Sequence, residues 1–378
     1  MGLKLRKIVA AAALIGLSVG TRAQQLPYTP EAAAPAPEPA PAPPPSVVGA
    51  IEPPLPEPVD SAFNAFLLGV RAQAIAAGVK AETFDRETAG LTPNPRVVRF
   101  DRAQPGGNPA TSTPGSMDFA PYRRQHVDRA HIDKGRARYQ ALRPLLADIE
   151  KRTGVSEAIA MAIFGHETGY GSFSGNFDLI RSLATLAYEG RRGALFTAEL
   201  IATLKLIDQG MPRSRLVGSW AGATGFPQFL PSVYLRLGRD GDGDGKADIW
   251  ASDADALASI GAYLTEAGWK PDTVWGVAVR VPGGFDRTTI ASPLLSPRCP
   301  RVHVRLSRWL TMAEWKARGI MVAGYPAPKD DELVQLIEPD GPDATAYLLT
   351  TNYRAILDYN CSNFYALSVG LLADEITR

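Results

Sequence analysis

The sequence predicts a mainly helical α+β fold, and three observations predict it. Amphipathic segments with helical spacing recur along the chain, as in Phe63, Phe66, Leu67, Val70 and Ile75, or Leu142, Leu145, Leu146 and Ile149. Short alternating stretches, such as Val274, Val277, Val279 and Val281, supply only small β elements. The apolar fraction of 45% over 378 residues is enough to bury more than one core.

The N-terminus reads as an address. Lys4, Arg6 and Lys7 precede an apolar run from Ile8 to Val19, and Thr21-Arg22-Ala23 follows as a cleavage site. That run is too short to span a bilayer, so 1–23 is expected to be a secretory signal peptide. Thr21 departs from the usual small-residue pattern, and no cysteine follows to take a lipid. A periplasmic protein is expected. Residues 24–59 are a Pro/Ala-rich tether, too poor in large apolar residues to pack. Net charge is +1 with pI about 7.7, which gives no electrostatic reason to expect nucleic acid.

Order is expected from about Asp60. An amphipathic helix runs from there to Gly78, and a short helix covers Ala81 to Glu87. Leu91-Thr92-Pro93-Asn94-Pro95 and Gly106 to Gly115 read as loops, and Tyr122 to Lys151 as strongly helical. Gly154 to Gly175 is the organising stretch. Ser156 is a candidate N-cap, and Gly169 and Gly171 stop the helix. Ile159, Ile163 and Glu167 share one stripe, which sets a carboxyl on the apolar face at the helix C-terminus. Burial and the helix dipole both disfavour the carboxylate, so Glu167 is expected to stay protonated towards neutral pH, as a general acid must. The alternative is a last-turn glutamate bonded to local backbone.

Asp178 to Tyr188 and Gly193 to Gln209 read as helices. The Gly218-to-Pro231 run is too rich in glycine for a helix interior and carries Ser219 and Gln228, a composition suited to a cleft wall or to a structural turn. In the 240–255 loop, Asp240, Asp242, Asp244 and the Lys246 carbonyl fit a calcium loop, with a solvated acidic turn as the alternative, but Ala251 stands where its last ligand belongs. Asp255, at the start of the next helix, is the candidate to close the site. Ser252 or Asp253 is expected to cap that helix. Cys299 to Leu306 and Ala344 to Thr350 read as strands, Trp309 to Gly319 as a small helix and Asn363 to Thr377 as a terminal helix. Cys299 and Cys361, the only cysteines, cannot cage zinc; an exported pair suits a disulfide, with two buried thiols as the alternative.

The motifs Phe-Gly-His-Glu-Thr-x-Tyr-Gly, Leu-Ala-Thr-Leu-Ala-Tyr, Gly-Ser-Trp-Ala-Gly-Ala and Asp-Gly-x-x-Asp-Ile-Trp stand in this order. Together they resemble the lytic murein transglycosylase B family over about Phe63 to Ile376. The resemblance implies a lysozyme-like catalytic core, with an N-terminal helical region at 60–135, the core at 136–290 and a groove-completing part at 291–378. It implies Glu167 as catalytic residue, with Ser219, Gln228, Tyr122, Tyr263, Tyr359, Asn360 and Tyr365 on the substrate. It also implies structural Ca²⁺ at Asp240, Asp242, Asp244, Lys246 and Asp255, and no organic cofactor. Cys361 beside the Tyr359-Asn360 pair departs from the family pattern, and pairing with Cys299 is the expected reason.

The implied reaction cleaves peptidoglycan glycan strands and leaves 1,6-anhydromuramic ends. One carboxyl suits this intramolecular route, whereas ordinary glycosidases use two. A hydrolytic muramidase with the same glutamate and a non-catalytic peptidoglycan-binding scaffold are the rivals. A monomer is expected, and the tether is the candidate attachment to a cell-wall or secretion complex.

Overall fold

The computed structural model describes residues 61–103, 118–292 and 299–378. The signal, the tether and the Gly106–Gly115 loop lie outside the described residues.

The chain opens with α1 (Ser61–Ala76), α2 (Ala81–Thr88) and α3 (Pro95–Ala103). A loop is expected from the sequence where α3 begins. Pro95 is instead the first helical residue, where its missing N–H costs nothing, and Asn94 Oδ1 accepts from Arg96 N at 3.0 Å as the cap. The stretch from Tyr122 to Lys151, expected to be strongly helical, is so, and it comprises three helices, α4 (Phe119–His126), α5 (Arg129–Ala141) and α6 (Arg143–Thr153). Asp128 restarts the chain as an N-cap, its carboxylate accepting from His131 N at 2.7 Å, and Pro144 lies in the first turn of α6. Both residues favour a helix start over a helix interior.

The central helix is α7 (Glu157–Thr168), buried over most of its circumference. Ser156 precedes it without a side-chain cap bond, and Gly169 closes it at φ 57°. After β1 (Phe177–Asp178) come α8 (Leu179–Glu189) and α9 (Gly193–Asp208), with Asp178 as the side-chain cap of α8. Then follow β2 (Val217–Gly218), α10 (Pro231–Leu237) and α11 (Asp253–Glu266), the last capped by Ser252. The remaining elements are β3 (Gly276–Arg280), α12 (Pro300–His303), β4 (Leu310–Thr311), α13 (Met312–Ala317), β5 (Met321–Val322), β6 (Leu333–Ile337), β7 (Ala346–Leu349), α14 (Thr351–Tyr359) and α15 (Asn363–Ile376). The expected strand from Cys299 to Leu306 is thus corrected to the short helix α12, which begins at a proline. Cys299 and Cys361 form a disulfide with Cα atoms 5.3 Å apart, tying α12 to the segment between α14 and α15.

Three apolar cores hold these elements. In the first, Ile159, Met161, Ile163 and Phe164 of α7 meet Leu257 and Ile260 of α11, Ile356 of α14 and Leu367 and Leu372 of α15. Each such side chain, fully buried, contributes roughly 1.5–3 kcal/mol. In the second, Phe63, Leu67 and Val70 of α1 pack with Leu179 and Leu183 of α8 and Leu200 and Leu204 of α9. The expected 60–135 and 136–290 regions therefore share a core. The third lies under an antiparallel sheet of order β4-β6-β7-β3-β5, with Val277 opposite Leu348, and is closed by Trp315.

A close approach fixes the segment after α7. Gly175 has φ 90°, and a Cβ there would stand 2.2 Å from the carbonyl of Gly218. This crossing lets Phe177 pair with Gly218 in the small β1–β2 ladder. Gly175→Ala should lower the unfolding free energy by about 2 kcal/mol or more, combining left-handed strain with a backbone clash. Urea unfolding of the two proteins checks it.

Candidate active site

Glu167 occupies the last turn of α7, where the helix meets α15 and the glycine-rich wall. Tyr365 Oη donates to Glu167 Oε1 at 2.6 Å. Burial pushes the Glu167 carboxyl up to about 7, and the tyrosine hydrogen bond opposes that shift. No other carboxylate among the described residues contributes to it. The side chain is only half-buried by surface, so it remains open to a partner. Lys134 Nζ donates to the Gly169 carbonyl at 2.6 Å, setting a cation at the negative end of α7.

The wall is fastened to this helix end. Thr168 Oγ1 lies 3.3 Å from the Phe226 carbonyl, and the rings of Phe164 and Phe226 are 5.7 Å apart. Ser219 is half-buried in a tight turn, its Oγ accepting from Ala223 N at 3.0 Å. Gln228 has φ 52° and donates through Nε2 to the carbonyls of Gly225 and Ser174 at 2.9 and 3.2 Å. Its amide N–H₂ thus locks the wall to the segment after α7.

The tyrosines divide into two groups. Tyr263, Tyr359 and Tyr365 are at most 4% exposed and form a floor. Tyr359 Oη donates to the Pro227 carbonyl at 2.6 Å and Tyr263 Oη to the Asp358 carbonyl at 2.8 Å, with the two rings 4.7 Å apart. Asn360, 8% exposed, follows Tyr359 as the C-cap of α14. Tyr122 alone of the four keeps appreciable surface, and its ring stacks 3.9 Å from that of His126. Tyr359, Tyr365 and Tyr122 all have hydroxyl pKa values raised by burial and by the nearby charge of Glu167.

Residues 62–374 match the family described as the transglycosylase SLT domain. The chain belongs to that family. Among its relatives is membrane-bound lytic murein transglycosylase B of Escherichia coli K12, 31% identical over 190 residues, which are 47% of this chain and 52% of that protein. The chain thus spans about half the length of this curated relative. SltB3 from Pseudomonas aeruginosa is 40% identical over 83% of this chain and 79% of its own. Its TM-score is 0.72 in complex with NAG-anhNAM-pentapeptide and 0.73 with NAG-NAM-pentapeptide. Escherichia coli Slt35 in complex with calcium shares the fold, at 22% identity over 84% of this chain and 92% of its own, with a TM-score of 0.64.

Within this transglycosylase SLT domain, the acidic loop lies apart from Glu167, between α10 and α11. Oxygens of Asp240, Asp242 and Asp244 come within 4.8 Å of one another, a set of hard oxygen donors that fits a calcium ion. Asp240 also accepts from Gly243 N and Gly245 N at 2.6 and 2.8 Å, which winds the loop. Asp255 does not join the cluster. Its two oxygens accept from Gly241 N at 2.8 Å and Asp248 N at 2.6 Å, so it clasps the ends of the loop. Lys246 N donates to Asp244 Oδ1 at 2.8 Å.

Sequence reasoning missed His166, the neighbour of Glu167. Its ring lies 5.6 Å from that of Tyr365 and 6.0 Å from that of His126, with Nε2 enclosed and without a hydrogen-bond partner. Burial holds it neutral, with a pKa lowered to about 3. Only its place before Glu167 could have signalled it. Among the described residues no helix is long and apolar enough to cross a membrane.

Proposed function

We propose that this protein is a lytic transglycosylase that cleaves the β-1,4 bond between N-acetylmuramic acid and N-acetylglucosamine in peptidoglycan, with Glu167 as sole acid and base. The observation that carries the reading is one half-exposed carboxyl that desolvation holds at a pKa of about 7, with no second carboxylate among the described residues acting on it. Glu167 first protonates the leaving glycosidic oxygen. The carboxylate so formed then takes the proton of the muramic 6-hydroxyl, which closes the 1,6-anhydro ring without water. The substrate's own N-acetyl carbonyl stabilises the positive anomeric carbon. Ser219 and Asn360 position that N-acetyl group, and Gln228 meets the adjacent sugar through its amide oxygen. Tyr122, half-buried where the other three tyrosines are buried, takes the stacking role on a sugar face. Tyr263, Tyr359 and Tyr365 act from beneath, by holding the wall and the carboxyl. The ligands of the SltB3 complexes, one carrying an anhydro sugar, support this substrate class.

Mass spectrometry of fragments released from purified sacculi tests the proposal. Fragments lighter by one water than muramidase products, and without a reducing end, are expected. Reducing muramic ends would transfer Glu167 to a hydrolase, and sacculus binding without release would leave a scaffold. The periplasm, reached through the signal at 1–23, is the proposed site of action, with 24–59 as the tether to a cell-wall or secretion complex. No organic cofactor enters the reaction, and the working unit is a monomer.

We assign the acidic loop to structural Ca²⁺, held by Asp240, Asp242, Asp244 and the Lys246 carbonyl, with Asp255 as the brace instead of a ligand. Chelation by EDTA should lower the melting temperature by several degrees, and added Ca²⁺ should restore it. Asp242→Asn should reduce that difference, because it removes one of the three charges. Calorimetry with and without Ca²⁺ reads both.

A further inference from the structure

We propose that a cavity at the far end of α7 and α15 binds a primary ammonium group on an aliphatic chain, such as a lysine side chain, between Asp374, Trp275 and Tyr347. The cavity has a volume of about 610 Å³, and none of the proposed substrate-contacting residues lines it. Ile159 of α7 and Leu371 of α15 line it, whereas Glu167 and Tyr365 sit at the opposite ends of these helices. From Ile159 to Glu167 the helix rises ~12 Å, so the cavity is separate from the catalytic carboxyl.

Its chemistry selects a cation. Trp275 and Tyr347 are 6% and 3% exposed, with ring centroids 6.2 Å apart, and form an aromatic floor. Trp275 Nε1 donates to Asp374 Oδ1 at 3.1 Å, which draws the carboxylate to that floor. Asp374 has no ion pair among the described residues. Arg378, whose charge reaches it, bonds instead to Glu375 at 2.7 Å. Burial accordingly raises the Asp374 carboxyl to about 6, a penalty that an arriving cation relieves. An ammonium group between a carboxylate and aromatic rings gains from both.

The geometry also favours ammonium over guanidinium. One Asp374 oxygen is already taken by the indole N–H, so a two-pronged guanidinium fork finds only half its match. Ile159, Val277 and Leu371 offer apolar wall to a methylene chain. Five carboxyl side chains line the cavity, Glu150, Glu157, Asp272, Asp374 and Glu375, against two guanidinium groups, Arg123 and Arg378, so the balance of charge is negative.

The test is a titration of the full chain followed by the indole N–H resonance of Trp275, assigned by its loss in Trp275→Phe. The probes are Nα-acetyl-lysine methylamide and its norleucine and arginine counterparts. The lysine probe should shift the resonance saturably, and norleucine should not. Asp374→Asn, which retains an acceptor for Trp275, should weaken lysine binding about tenfold or more while leaving the melting profile cooperative. A resonance that does not move, equal binding of norleucine, tighter binding of arginine, or unchanged affinity in Asp374→Asn would each overturn the proposal. None of these readouts depends on glycan cleavage, so the inference stands apart from the proposed activity.

Discussion

Glu167→Gln should release no detectable glycan and yet be more stable than the native protein above neutral pH. The carboxyl titrates near 7 in the folded chain against 4.5 for an ordinary glutamate, because burial disfavours its charge. The folded state therefore holds its proton more tightly than the unfolded state. Stability from that proton is fully present below about pH 4.5 and is lost as the pH rises through 7. At about pH 8 the ionised, buried carboxylate costs on the order of 3 kcal/mol relative to the acid. Glutamine keeps the shape and still offers an oxygen to Tyr365, but carries no charge. Its gain should be largest at about pH 8 and vanish near pH 4.5, as read by denaturant unfolding at the two values. Release from sacculi should fall at least ~100-fold, the usual contribution of a general acid. A variant that loses activity without gaining alkaline stability would show that Glu167 is not a buried acid. In the native protein, release should decline above pH 7, as the reactive acid form is depleted.

The stripe Ile159, Ile163, Glu167 was legible because helix periodicity is local. It assigned the carboxyl to the buried side of α7 and predicted the direction of its pKa shift, and both appear in the fold. What periodicity could not show is that α7 is covered on nearly every side, since coverage comes from α11 and α15, far away in sequence. The same blindness affects the tyrosines. Sequence motifs could bring Tyr263, Tyr359 and Tyr365 to the site but could not tell a ring that faces a ligand from one that carries the floor. Their hydroxyls are spent on carbonyls and on Glu167 itself. Asp255 is a related case, where charge and spacing suggested a ligand but two backbone N–H groups claim the carboxylate. Punctuation residues misled where their position decides their meaning. Pro95 and Pro300 open helices, although each looked like a break in a loop or the edge of a strand.

Tyr365→Phe should reduce release by ~10- to 100-fold while moving the alkaline limb of the pH profile upward. Tyr365 is 2% exposed, and its hydroxyl donates to the carboxyl oxygen of Glu167 at 2.6 Å. This bond stabilises the carboxylate more than the acid, and so opposes the effect of burial. Without it Glu167 becomes a weaker acid, held at a still higher pKa. The carboxylate left after proton delivery, which must then act as the base, loses its charge-assisted donor. The ring is unchanged, so packing against His166 and the floor is retained. Tyr359→Phe supplies the contrast. Its hydroxyl bonds to the Pro227 carbonyl and not to Glu167, so its removal leaves a buried acceptor unpaired and costs about 1–3 kcal/mol of stability. Tyr359→Phe should thus lower stability with little change in the position of the pH limb, and Tyr365→Phe should do the reverse. Equal displacement of the limb in both variants would mean that general desolvation of the floor, and not the Tyr365 hydrogen bond, sets the acidity of Glu167.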